Sequence, residues 1–169
     1  MVENQEKRGI ESSVTCFVHC GDDFLFLHRN ESRKVDANRL NGVGGKLDKG
    51  ENFLDAAIRE TREETGYAIT KDQVRLAAVA QLHGGYAKDW TMCFFTIEVP
   101  TKKIPIGTQN HEGQLLWIPA DQVLQSEFEL VDDLNYCWEA IARRDSVLFF
   151  TAEVDDNEKI ASIKMSELQ

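Results

Sequence analysis

The sequence predicts an α/β (α+β) chain with mixed β-sheets sandwiched between α-helices. Three observations carry this. Runs of β-branched and aromatic residues bounded by turn residues stand on both sides of one strongly helical stretch, residues 53–65. A second helical stretch follows near the C-terminal end, at Val131 to Arg143. No internal repeat, low-complexity tract or linker divides the chain, so the strands and helices have to cover one another.

Residues 1–9 are polar and charged and are expected to form a flexible tail. Residues 10–169 are then one domain, a length that buries about 70% of the unfolded surface. Ser12 to Cys20 and the run FLFLHR read as two strands joined at Gly21-Asp22-Asp23. Asn30 to Arg39 reads as a charged loop leading into the glycine-rich turn Leu40 to Lys46. Val74 to Leu82 and Trp90 to Val99 read as strands, with His83 to Tyr86 as the loop between them. Gln114 to Ile118 reads as a short strand, Pro119 to Gln125 as a helix, and Val147 to Val154 with Ile160 to Lys164 as a closing hairpin.

The central helix carries the chemistry. Asn52 is placed as its N-cap with Asp55 three residues on, and Gly66 as the glycine that ends it. At about 100° per residue, Glu60, Glu63 and Glu64 share one side, while Leu54, Ala57, Ile58 and Thr61 form an apolar stripe beside it. Two carboxylates about 4 Å apart repel by roughly 4 kcal/mol at an effective dielectric of 20, so something has to neutralise them. An all-oxygen cluster suits a hard cation such as Mg²⁺ or Mn²⁺. Taken alone, the triplet is equally a solvated helix face in a chain with 29 Asp and Glu.

The spacing around it decides. Gly45, Glu51, Arg59-Glu60, Glu63-Glu64 and Gly66 stand at the intervals of G-x5-E-x7-R-E-U-x-E-E-x-G-U, and the chain therefore resembles the Nudix hydrolases. The two positions usually filled by bulky aliphatics hold Thr61 and Tyr67. The resemblance implies a Nudix fold and a metal-dependent hydrolase of nucleoside diphosphates linked to a further group. It implies catalytic roles for Arg59, Glu60, Glu63 and Glu64, and a metal set of Glu60, Glu63, Glu64 and Gly45; His111-Glu112-Gly113-Gln114 before Trp117-Ile118-Pro119 resembles the segment in which MutT-type hydrolases carry a further acidic metal ligand, which adds Glu112. Glu51 is implied as an orienting partner of Arg59, and Gly44, Gly45 and Lys46 as a turn that brings backbone amides to phosphate.

A looser similarity over residues 12–165 narrows the expectation. LHRN, NGVGGK, Asp89-Trp90, HEGQLLWIPADQVL and FFTAEV resemble the MutT-like 8-oxo-dGTP diphosphatases. By that resemblance Arg29, Gly44 and Lys46 lie at the phosphates, and Asn41, Asp132 and Asp133 read the purine. Adjacent carboxyls in a dry pocket raise one another's pKa, so one donates while the other accepts. Either aspartate is also a plausible cap for the following helix. The aromatic that stacks on the base in the mammalian enzymes is replaced by Leu130 or Val131, leaving Tyr86, Trp90 or Phe128 as alternative platforms.

The net charge of −10 argues against a surface built to grip nucleic acid, and no apolar segment reaches membrane-spanning length. The four cysteines show neither metal-site nor C-x-x-C spacing and read as reduced thiols of a soluble, cytoplasmic protein. The expected partner is a small-molecule nucleotide. The readings to be separated are a nucleoside triphosphate pyrophosphohydrolase acting on an oxidised purine, a Nudix hydrolase of ADP-ribose, a nucleotide sugar, a dinucleoside polyphosphate or an RNA 5′ end, and a nucleotide-binding module without catalysis. The last of these has no need of four glutamates at these intervals. Oligomeric state is not legible in the sequence.

Overall fold

The computed structural model describes residues 8–169. The expected tail over residues 1–9 falls almost wholly outside the described residues; at its end the Gly9 carbonyl accepts from the Asp89 N–H at 2.9 Å.

Strands β1 (Ile10–Cys20), β2 (Asp23–Arg29), β3 (Leu40–Asn41), β4 (Val43–Lys46), β5 (Val74–Gly84), β6 (Asp89–Glu98), β7 (Gly113–Pro119), β8 (Val147–Val154) and β9 (Ile160–Leu168) are joined with helices α1 (Phe53–Thr65) and α2 (Leu134–Arg143). The strands run in the order β3-β2-β1-β6-β5-β8-β9, with β4 branching off β1 and β7 off β2. The sheet is mixed, because β1 pairs parallel to β6 and β5 parallel to β8 while the other pairs are antiparallel. The predicted α+β class, with sheet between helices, is the observed one.

Two cores form, one on each side. On the first, α1 lays Ala56 and Ala57 against Val14, Cys16, Val18, Leu25 and Leu27. On the second, α2 buries Leu134, Cys137, Trp138 and Ile141, the i, i+3, i+4, i+7 stripe of an amphipathic helix. Trp138 is the centre of this side: its ring meets Phe17, Phe24 and Phe26 edge-on, and its indole N–H donates to the Ala120 carbonyl at 2.9 Å. The four cysteines are free, and among the described residues no helix is long and apolar enough to cross a membrane.

The structure differs from the sequence expectation in three places. The glycine-rich "turn" before α1 is strand β4, paired with β1 so that Gly44 stands opposite Thr15. A Cβ on Gly44, whose φ is +154°, would meet the Val14 carbonyl oxygen at 2.1 Å, so only glycine lets the two strands close here. His83 and Gly84 belong to β5 and not to the following loop. Helix α2 begins at Leu134, because Val131 is drawn out of helical geometry by pairing with Leu40: its N–H donates to the Leu40 carbonyl at 3.0 Å.

Replacing Trp138 with alanine removes the shared contact of three phenylalanines and leaves a cavity, at a cost of about 4 kcal/mol. Urea unfolding of Trp138→Ala checks this; a loss below about 1 kcal/mol would remove Trp138 from the centre of this core.

Candidate functional site

The site is built where α1 crosses β4. Asn52 caps α1 as expected: its side-chain oxygen accepts from the Asp55 N–H at 3.0 Å, and its amide donates to the Asp55 carboxylate at 2.7 Å. At the other end Gly66 is left-handed at φ +79° and donates to the Arg62 carbonyl at 2.8 Å. Between these caps the helix lies so close to β4 that a Cβ on Gly45 would stand 2.5 Å from Glu60 Oε1.

The three helix carboxylates do not share one environment. Glu64 is 5% exposed and accepts the Gly44 N–H at 3.1 Å, whereas Glu63 is largely exposed at the cavity rim. Burial pushes the Glu64 carboxyl up to about 8, with Glu60 and Glu112 adding to the effect and the Gly44 N–H opposing it. Glu60 is raised as well, by burial first, against the pull of Arg59.

Arg59 is the hub of this end. Its Nη1 lies 2.7 Å from Glu60 and 3.3 Å from Glu63, its Nε and Nη2 both hold Glu51 at 2.8 Å, and Nη2 also donates to the Lys46 carbonyl. The guanidinium holds the Glu51 carboxyl down to about 2, helped by the Asp48 N–H. Glu51 thus holds Arg59 through both of its carboxylate oxygens. The neutralising partner of Glu60 and Glu63 in this state is Arg59.

A cavity of about 680 Å³ opens over these residues and is lined by Glu60, Glu63, Glu64, Glu112, Gly44 and Gly45. Lys46 borders it with a mostly exposed side chain that contacts Glu11 at 3.0 Å and lies over the Trp90 ring at 5.6 Å. Arg29 also lines it; its Nε is buried without a hydrogen-bond partner, and its Nη2 stands 3.6 Å from Glu112. Glu112 is held further by Arg33 at 2.9 Å and by His111 at 3.3 Å. Among the described residues no three His, Cys, Asp or Glu side chains already converge as a closed metal shell. The donor set nevertheless fits a hard divalent cation: it is all oxygen, it faces one cavity, and the missing Cβ of Gly45 leaves room beside Glu60.

The same cavity is also lined by Asn41, Asp36, Asp132, Asp133, Tyr86, Trp90 and Glu158. Asn41 accepts the Gly42 N–H at 2.8 Å. The two adjacent aspartates are treated differently. Asp132 accepts the Ile160 N–H at 2.7 Å and has Lys159 at 3.6 Å, which ties it to the start of β9. Asp133 sits at the N-cap position of α2, yet its side chain makes no cap hydrogen bond. It is 9% exposed, and burial, then the charge of Asp36, pushes its carboxyl up to about 7. Tyr86 and Trp90 meet edge-on at 6.4 Å and supply the aromatic wall, while Phe128 packs on His28 instead.

Sequence reasoning passed over Asp36, Arg33, Arg39 and Glu158. All four lie in charged loops where nothing in the local pattern separates them from solvated residues. The one sequence cue for Asp36 is its residue type, since aspartate tolerates the left-handed backbone it adopts at φ 50°.

The comparisons with known proteins agree with this architecture. A family model described as NUDIX domain matches residues 10–139. The uncharacterized Nudix hydrolase YvcI of Bacillus subtilis (strain 168) is 33% identical over 76 residues, which is 44% of this chain and 47% of that protein's length. Among solved structures, a mutator MutT protein from Bacillus halodurans superposes with a TM-score of 0.78 at 21% identity, covering 92% of this chain and 97% of that one. The NUDIX domain of Shewanella oneidensis NrtR, complexed with ADP ribose, superposes with a TM-score of 0.64 at 14% identity, covering 84% and 92%. At these identities the structural likenesses speak for the fold.

The buried acids set a pH dependence. Glu64 and Asp133 bind their protons more tightly folded (about 8 and about 7) than at their ordinary values of 4.5 and 3.8. Their contribution to stability is present at low pH and is lost as pH rises through the folded values. Glu51 works the other way, but its contribution is fully present above its ordinary 4.5. Thermal melts in a chelator are therefore expected to fall between about pH 5 and about pH 8, and Glu64→Gln to flatten the fall. An equal slope in the variant contradicts the assignment.

Proposed function

Because the chain belongs to the Nudix family, we propose that it is a metal-dependent pyrophosphohydrolase that cleaves a purine nucleoside triphosphate, 8-oxo-dGTP foremost, to the monophosphate and pyrophosphate. One observation carries this reading: a single cavity is lined both by the carboxylates of α1 and by Asn41, Asp132, Asp133, Tyr86 and Trp90. The first set suits a polyphosphate and the second a flat ring with polar edges.

Glu60, Glu63 and Glu64 would hold the cation, with Glu112 and Gly45 at its border, and Mg²⁺ or Mn²⁺ bound there supplies Lewis acidity to the phosphates and acidifies water. The remaining steps belong to the chain itself. Arg59, anchored on Glu51, fixes the side chains of Glu60 and Glu63 in one orientation, so little rearrangement is needed when substrate arrives. Arg29 brings a guanidinium whose Nε has no partner to the phosphates, and Lys46 adds a second cation at the rim. The proton of the attacking water goes to a carboxylate of the Glu60–Glu64 pair, which stands against the backbone of β4. Trp90 and Tyr86 provide the wall on which a base lies, and Asp133 its hydrogen-bonding group.

Steady-state rates with Mg²⁺ on 8-oxo-dGTP, dGTP, ADP-ribose and a nucleotide sugar test the proposal. The expected order places 8-oxo-dGTP first. Glu63→Gln and Glu64→Gln are each expected to lower kcat by at least about 100-fold while circular dichroism is preserved. Preference for ADP-ribose or a sugar nucleotide would sink the triphosphate assignment, and full activity in both variants would sink the site.

A further inference from the structure

Among the described residues, four buried side-chain polar atoms have no hydrogen-bond partner: Ser13 Oγ, Arg29 Nε, Asp36 Oδ1 and Thr61 Oγ1. Ser13, Arg29 and Asp36 all line the same cavity. Arg29 and Asp36 each have an opposite charge nearby, Glu112 at 3.6 Å and Arg39 at 3.5 Å. Ser13 has no such substitute. It is 6% exposed, and a buried hydroxyl left without a partner costs free energy until something completes it.

The sheet fixes where this hydroxyl stands. Side chains alternate along β1: Val14, Cys16 and Val18 enter the core that α1 covers, and Phe17 enters the core that α2 covers, so Ser13 and Thr15 share the side of Phe17. At Ser13 the strand is paired on both flanks, opposite Lys46 of β4 and opposite Met92 of β6. Glu11, two residues earlier on the same face, stands opposite Trp90. Trp90, Met92, Lys46 and Ser13 all line the cavity. The Ser13 hydroxyl is therefore part of the cavity floor beside Trp90 and Met92, on the side of the sheet opposite to the body of α1. It is held there by a strand with neighbours on both sides.

We propose that Ser13 contacts substrate, its hydroxyl hydrogen-bonding the nucleoside half of the nucleotide and not the polyphosphate. The inference rests on the nucleotide-hydrolase reading above. A hydroxyl donates and accepts, and its proton turns to suit the partner, so it matches the mixed donors and acceptors of a ring edge or a sugar. A polyphosphate is matched by the cations Arg29 and Lys46 and by the carboxylate-bound metal. A side chain as short as serine beside Trp90 and Met92 also leaves room for a ring to lie against them. Because Ser13 is already stripped of water by burial, a nucleoside atom that meets it supplies the missing partner at no further cost to the protein side.

The test is calorimetric binding of 8-oxo-dGMP and of inorganic pyrophosphate, each in Mg²⁺, to the wild type, Ser13→Ala and Ser13→Thr, with a thermal melt of each free protein. Ser13→Ala removes a hydroxyl that has no partner within the protein, so the melting temperature of the free protein is expected to hold or rise. The Kd of 8-oxo-dGMP is expected to rise about 3- to 10-fold, the size of one neutral hydrogen bond, while that of pyrophosphate stays the same. Ser13→Thr, which keeps the hydroxyl, is expected to bind 8-oxo-dGMP more tightly than Ser13→Ala does. An unchanged Kd for 8-oxo-dGMP in Ser13→Ala, an equal weakening of pyrophosphate, or a threonine variant as weak as the alanine one overturns the nucleoside contact and leaves the hydrolase reading intact. A fall of several degrees in the melt of free Ser13→Ala overturns it too, since the hydroxyl then has its partner inside the protein. A wild type that binds pyrophosphate but no 8-oxo-dGMP overturns both the contact and the 8-oxo-dGTP reading.

Discussion

The structure turns on how closely α1 approaches β4. Gly44 closes against Val14 and Gly45 against Glu60, at separations that would put an added Cβ at 2.1 Å and 2.5 Å from the nearest oxygen. That approach presses Glu64 against the Gly44 N–H and strips it of water, while Glu60 stays half-buried and Glu63 remains at the rim. Three glutamates within one helical turn thereby acquire three environments. Arg59, fixed from outside by Glu51, prevents Glu60 and Glu63 from repelling each other apart.

The second consequence is spatial. Strand β4 continues the chain from β3, and β3 is tied to the segment before α2: the Leu40 N–H donates to the Glu129 carbonyl and its carbonyl accepts from Val131. The same short stretch therefore places the carboxylates of α1 and the head of α2 on one cavity. Trp138 and its three phenylalanines lock α2 from below, so Asp133 meets the cavity with its side chain uncommitted to the helix cap. Rigid elements carry both, and loops supply Asp36, Arg33 and Glu158.

Much of this was legible in the sequence, for reasons that are local. Asn52 and Gly66 announce the ends of α1 because capping depends on a few neighbouring residues, and both caps are in place. The strand runs are bounded by turn residues, so β1, β2, β5, β6, β7 and β8 fall close to where their patterns put them. The spacing from Gly45 to Tyr67 brought Glu51, Arg59, Glu60 and Glu64 together, and the structure shows why the intervals matter: one turn of helix separates Glu60 from Glu64, and eight residues let Glu51 reach back to Arg59. What local pattern did not show is long-range. The pairing of β4 with β1, the tie between Asp132 and Ile160, and the burial of Asp36 each join residues distant in sequence. The two neighbours Asp132 and Asp133 look alike on paper and differ only in what lies across from them.

Burial against β4 raises the Glu64 carboxyl to about 8, so under the proposed metal-dependent reading a cation that takes Glu64 as a ligand displaces its proton. Calorimetric titration of the chelator-treated protein with Mn²⁺ at neutral pH, in two buffers of different ionisation enthalpy, reads this directly. Release of about one proton per cation is expected, and its loss in Glu64→Gln. Binding with no proton release, or with the same release in that variant, would contradict it.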